Sequence, residues 1–214
     1  MTTFITRTLA DDSVFRAILA GAGWTVSGES LVEFSSLPFR DLPAADWIFF
    51  TSRNAVRFFF ENAPGGRSDD SESSDRLITC RPDVQWAALG EATAKVLAEY
   101  VGKVDFTGSG DPLATAEVFR RLPHPPEKRR VLFPAARHAK QDLQSALNYD
   151  FQCFMFEIYN TRPGADPPFS NAGVLVFTSP MNAEVYFSRH TLQEYQQVVA
   201  IGPSTARALK TLGV

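Results

Sequence analysis

Phe50-Thr51-Ser52-Arg53-Asn54-Ala55 closes the apolar run Trp47 to Phe50 and opens a helical pattern. Phe177-Thr178-Ser179-Pro180-Met181-Asn182-Ala183 does the same after Val174 to Phe177. A second motif follows each copy: Ala88-Leu89-Gly90-Glu91-Ala92-Thr93-Ala94-Lys95 after the first, and Ala200-Ile201-Gly202-Pro203-Ser204-Thr205-Ala206-Arg207 after the second. The order is the same both times, so one unit of strand, FTS, helix, strand, GxxTA and helix has been used twice, and internal repetition of this kind sets an architecture.

Outward from the repeats, short apolar runs alternate with helical patterns, the signature of βαβ units and a mainly parallel sheet. The expected strands are Phe4 to Thr6, Trp24 to Val26, Trp47 to Phe50, Val84 to Leu89, Val104 to Phe106, Val131 to Phe133, Val174 to Phe177 and Val198 to Ile201. Between them the pattern predicts helices over Asp11 to Ala22, Asn54 to Asn62, Ala92 to Tyr100, Pro112 to Leu122, Ala139 to Leu147, Asn182 to Arg189 and Pro203 to Leu212, each strand being followed by a helix. Residues 63–75, rich in Gly, Ser, Asp and Glu, carry too little apolar surface to order a backbone and read as a mobile surface insertion.

The first FTS copy opens only after an early βαβ piece, so the N-terminal segment must pair with the C-terminal one. Glu33 to Pro38 and Glu157 to Pro163, both extended and both ended by proline, would be the outward and returning connections, crossing side by side. The expectation is an α/β protein of two similar doubly wound parallel-sheet lobes, joined by a two-stranded β-ladder hinge. One lobe is discontinuous, residues 1–34 with 161–214; the other spans 38–155, with linkers at 33–38 and 157–163. A cleft between such lobes is where small molecules usually bind.

Composition narrows the function. A net charge of −3 over 214 residues provides no basic field for nucleic acid or an anionic membrane surface. Met1 to Ala10 does not read as a signal peptide, and no window approaches the roughly 18 apolar residues of a membrane span, so a cytoplasmic chain is expected. The two cysteines, Cys80 and Cys153, form no CxxC pair and sit by no His cluster, so neither a disulfide framework nor a metal site is expected. Sixteen arginines against five lysines could reflect codon bias, or a preference for the planar fork that holds carboxylates.

The motifs suit anions. FTS at a strand's C-terminal end brings hydroxyls and the next helix's first amides to the sheet edge; Ser52 and Ser179 could equally be plain helix caps. The two GxxTA copies place Gly90 and Gly202 at turns, and Thr93, Ser204 and Thr205 on helix N-termini, with tight strand–helix packing as the alternative. No GxGxxG or GxxxxGK[ST] motif supports nicotinamide, flavin or nucleoside triphosphate chemistry. His124, His138 and His190 stand in no recognisable nucleophilic setting. Tyr159 lies in the returning connection, where a phenol could donate a proton toward the cleft or merely pack as a strand aromatic.

In combination these pieces resemble the uroporphyrinogen-III synthase (HemD) family over nearly the whole chain. The residues that carry the likeness are Ile5-Thr6-Arg7, Leu37-Pro38, Phe50 to Val56, Leu89 to Ala94, Leu132-Phe133-Pro134 with Arg137, Tyr159, Phe177 to Pro180 and Ala200 to Ala206. The resemblance implies a lyase without cofactor or metal that cyclises hydroxymethylbilane with inversion of ring D and loss of water, as a monomer with possible handover from porphobilinogen deaminase. It implies Tyr159 as the group assisting hydroxyl departure. It implies Arg7, Thr51, Ser52, Gly90, Thr93, Arg137, Thr178, Ser179, Gly202, Ser204 and Thr205 as substrate contacts. The family pattern continues with a strand and a helix after the second GxxTA helix, where this sequence reaches Val214. The rival expectation is a non-catalytic two-lobed module that binds a tetrapyrrole or other polycarboxylate, or a regulatory protein.

Overall fold

A computed structural model describes residues 1–9, 13–62, 84–124, 129–164 and 166–214. The insertion expected over residues 63–75, and Cys80, lie outside the described residues. The chain divides into two compact units: unit 1 is Met1–Phe34 with Thr161–Val214, and unit 2 is Ser35–Asn160.

Unit 1 carries β1 (Thr2–Ile5), α1 (Val14–Gly21), β2 (Thr25–Gly28) and the start of β3 (Val32–Ser36). Unit 2 continues with β4 (Trp47–Phe50), α2 (Arg53–Asn62), β5 (Gln85–Ala88), α3 (Glu91–Val101), β6 (Phe106–Thr107), α4 (Pro112–Arg120), β7 (Arg130–Ala136), α5 (Asp142–Leu147) and most of β8 (Gln152–Pro163). The chain then returns to unit 1 with β9 (Val174–Phe177), α6 (Pro180–Phe187), β10 (Gln197–Ala200) and α7 (Pro203–Thr211).

The strands order as β10-β9-β1-β2 in one sheet and β3-β8-β7-β4-β5-β6 in the other. Parallel pairing holds β1 to β2 and β9, β9 to β10, β4 to β5 and β7, β5 to β6, and β7 to β8. The fold class is α/β, as the alternating pattern requires. The repeat is visible in the topology: β2-β1-β9-β10 matches β8-β7-β4-β5, with the FTS strand third in each.

Every residue of β4, Trp47 to Phe50, is buried, because helices cover both faces of its sheet. Alternation divides the strand: Ile48 and Phe50 join Val56, Phe59 and Leu97 beneath α2 and α3, while Trp47 and Phe49 join Phe119, Leu143 and Leu147 beneath α4 and α5. In unit 1, Leu175 and Phe177 pack on Tyr186 and Leu209 of α6 and α7. The opposite face, Ile5, Val174 and Val176, has α1 as its helix, and no residue of α1 is buried.

Several boundaries differ from the sequence pattern. The expected helix from Ala139 starts at Asp142, because Ala136 to Ala139 form a turn: Ala139 N–H donates to Ala136 O (3.1 Å) and His138 takes φ 60°. The strand expected from Val104 is only Phe106–Thr107, since the Asp105 carboxylate accepts the Trp86 N–H (3.0 Å) that a ladder would use. Strands β2, β3 and β4 follow one another without helices, as do β8 and β9, so strict alternation fails there. The two connecting segments are strands in their own right.

Candidate active site

The C-terminal ends of β4 and β7 frame a pocket of about 250 Å³ lying wholly in unit 2. Thr51, Ser52, Leu89, Pro112, Ala135, Ala136, Ala139, Lys140, Asp142, Leu143, Gln144 and Tyr159 line it. Its position, at the carboxyl edge of a parallel sheet, is where α/β folds generally hold ligands.

Tyr159 owes its place to an irregularity. Strands β7 and β8 pair residue for residue to Ala135↔Glu157, and the next pair is Ala136↔Tyr159, so Ile158 is an extra residue. A bulge re-aims the side chains beyond it, and Ile158 and Tyr159 are consecutive buried residues on one strand. The phenol ring stacks on Phe58 with centroids 4.7 Å apart and planes 11° from parallel. Its hydroxyl lies 3.5 Å from Ser52 Oγ. Burial pushes the phenol above its ordinary value of 10, partly offset by the Ser52 hydrogen bond, so it stands as a neutral donor at physiological pH.

Ser52 Oγ also accepts the Ala55 N–H (3.1 Å), capping α2. Cap and pocket wall are therefore one side chain, and the two readings of FTS hold together. Thr51 lines the pocket beside it. Arg137 follows β7, its N–H donating to Tyr159 O (2.8 Å), but its guanidinium pairs with Glu157 (3.0 Å) and it is not among the pocket-lining residues. Gly90 precedes α3; a Cβ there would meet Gly110 Cα at 3.0 Å, a close approach that favours glycine. Thr93 is buried.

In unit 1 the second FTS copy sits in a polar lattice. Thr178 N–H donates to Thr6 Oγ1 (3.0 Å), and Thr178 Oγ1 donates to Thr6 O (2.7 Å). Ser179 Oγ accepts from Asn182 N–H (3.2 Å) and Nδ2 (2.8 Å), while Asn182 Oδ1 accepts Leu31 N–H (3.0 Å). Arg7 follows β1 half-exposed, Gly202 and Ser204 are partly exposed at the start of α7, and Thr205 is buried. The structure thus gathers Thr51, Ser52 and Tyr159 at one pocket of unit 2, and gathers Thr178 and Ser179 at one strand end of unit 1.

The periodic pattern reads Lys140, Asp142 and Gln144 as parts of one helix from Ala139 to Leu147 and does not single them out, yet all three line the pocket. Gln144 is 3% exposed, and neither amide atom has a hydrogen-bond partner among the described residues. No group of His, Cys, Asp and Glu among the described residues could hold a metal ion, and no helix among them is long and apolar enough to cross a membrane.

The fold recurs in solved structures. Uroporphyrinogen-III synthetase from Helicobacter pylori 26695 superposes with a TM-score of 0.67 at 21% identity, covering 100% of this chain and 90% of that one. A mutant uroporphyrinogen III synthase from the extremely thermophilic bacterium Thermus thermophilus gives 0.57 at 17% identity, with the same coverage of both chains. No curated protein matches the sequence significantly. The family model described as uroporphyrinogen-III synthase HemD matches residues 14–214, so the chain belongs to the uroporphyrinogen-III synthase family.

Proposed function

We propose that this protein is a uroporphyrinogen-III synthase of tetrapyrrole biosynthesis, acting as a lyase: it cyclises hydroxymethylbilane, with loss of water and inversion of ring D. Family membership carries the reading, and the neutral, buried phenol of Tyr159 beside Ser52 in the unit 2 pocket supports it. Tyr159 donates its proton to the terminal hydroxyl as the C–O bond breaks, giving water and an azafulvene whose positive charge the pyrrole nitrogen carries. The substituted carbon of ring D attacks, and the resulting spiro intermediate fragments and recloses. The proton released on final aromatisation restores the balance.

Much of this reactivity belongs to the substrate, so the protein's contribution is to hold the chain where the disfavoured carbon can attack. Thr51, Ser52, Gly90, Thr93 and Arg137 in unit 2, with Arg7, Thr178, Ser179, Gly202, Ser204 and Thr205 in unit 1, are proposed as its contacts. The units act as two similar lobes joined through β3 and β8. The enzyme works as a cytoplasmic monomer in dilute solution, without cofactor, and takes substrate by transient handover from porphobilinogen deaminase.

The test is a coupled assay with porphobilinogen and porphobilinogen deaminase, oxidation of the products and separation of the uroporphyrin isomers. Predominance of isomer III is expected. Isomer I alone from folded protein would sink the reading.

A further inference from the structure

The turn between β7 and α5, beside the pocket, passes through a left-handed residue. His138, at φ 60°, is the sole non-glycine residue with positive φ among the described residues, in the left-handed region that Asn, Asp and His enter more readily than other side chains. Its consequence is directional. Of the four residues from Arg137 to Lys140, Ala139 and Lys140 reach the pocket that holds Thr51, Ser52 and Tyr159, whereas Arg137 turns its guanidinium to Glu157. The arginine is occupied; Lys140 has no ion pair among the described residues.

Resting on the synthase reading, we propose that Lys140 is the carboxylate anchor of this pocket. It pairs with an acetate or propionate group of the bilane ring that lies against Tyr159, and the left-handed turn at His138 carries it there. An ammonium group is a compact point charge with three donors on a flexible stem, suited to a carboxylate that must shift as the ring rearranges. The pocket's other charged residue, Asp142, stands in the first turn of α5, so Lys140 is the lining group that can attract a polyanion.

Steady-state kinetics on Lys140→Met test this. KM should rise about tenfold, the usual size of a lost hydrogen bond to a charged group, with kcat within about threefold of wild type; Lys140→Arg should restore KM, and Lys210→Met on α7 should leave it alone. Raising the salt concentration should weaken wild type more than Lys140→Met. His138→Gly should keep the wild-type KM, because glycine accepts the turn, and His138→Val should raise it.

Two results separate the proposal from the reading beneath it. If wild type and Lys140→Met both yield isomer III with the same KM, the anchor is overturned and the synthase reading stands. If wild type yields isomer I only, the synthase reading falls, and equilibrium binding of uroporphyrinogen III, an octacarboxylate, decides the anchor: equal affinities overturn it, a roughly tenfold loss in Lys140→Met upholds it.

Discussion

Tyr159, held between Phe58 and Ser52 and 6% exposed, is the proposed proton donor. Tyr159→Phe removes the proton donor and keeps the ring stack, so the rate of isomer III formation should fall roughly 100-fold, the low end for general acid catalysis, with an unchanged circular dichroism spectrum. Burial has raised its folded pKa above 10, so the stability this gives is fully present below pH 10 and is lost as pH rises through the folded value. Urea unfolding at pH 9 and 11 should therefore show a larger alkaline loss for wild type than for Tyr159→Phe. Gln144 is the opposite case, a buried amide without partners among the described residues. Gln144→Leu should stabilise the protein by about 1 kcal/mol by ending that desolvation cost, read as a rise in the urea midpoint.

At the scale of elements, the two FTS copies cap their helices alike, but Ser52 also faces a pocket while Ser179 is bound to Asn182. Ser179→Ala should cost about 1 kcal/mol, as loss of an N-cap does. Asn182→Ala should cost about 2 kcal/mol, since it orphans the Leu31 N–H and the end of the chain entering β3; urea titration checks both. The two GxxTA glycines are unlike in their surroundings. Gly90 is pressed by Gly110 ahead of α4, whereas a Cβ at Gly202 would meet nothing within 4 Å. Gly202→Ala should accordingly leave thermal stability nearly unchanged, and Gly90→Ala should lower it.

For the whole molecule, the difference between the glycines belongs to a larger asymmetry. Unit 2 covers one face of its sheet with both α4 and α5, and seals the outer edge of β5 with β6. Among the described residues, unit 1 has α1 alone on the matching face and nothing beyond β10. Val14 (69%), Ile18 (66%), Val199 (44%) and Ile201 (49%) are exposed, and apolar side chains exposed at an edge strand favour association. Light scattering on concentrated protein should show less self-association for Ile18→Lys and Val199→Lys, with stability within about 0.5 kcal/mol of wild type, as for surface changes generally.

Strand β4, whose four residues are all apolar, could be read at Trp47 to Phe50 without a structure, and so could β9 at Val174 to Phe177, because strands buried on both faces write their burial into an unbroken run. The duplicated FTS and GxxTA motifs likewise revealed the repeated α/β unit, since they occupy equivalent strand ends in both sheets. The bulge at Ile158 that turns Tyr159, the left-handed His138 that shortens α5, and the pairing of Arg137 with Glu157 left no periodic trace. Each depends on which backbone lies alongside, a contact between residues distant in sequence or a local conformation that composition does not encode. Sequence alone therefore determined the class of fold and the sheet edge at which the pocket lies; the tertiary structure decided that Lys140, rather than Arg137, is among the residues lining that pocket, because the chain turns at His138 and the Arg137 guanidinium is held by Glu157.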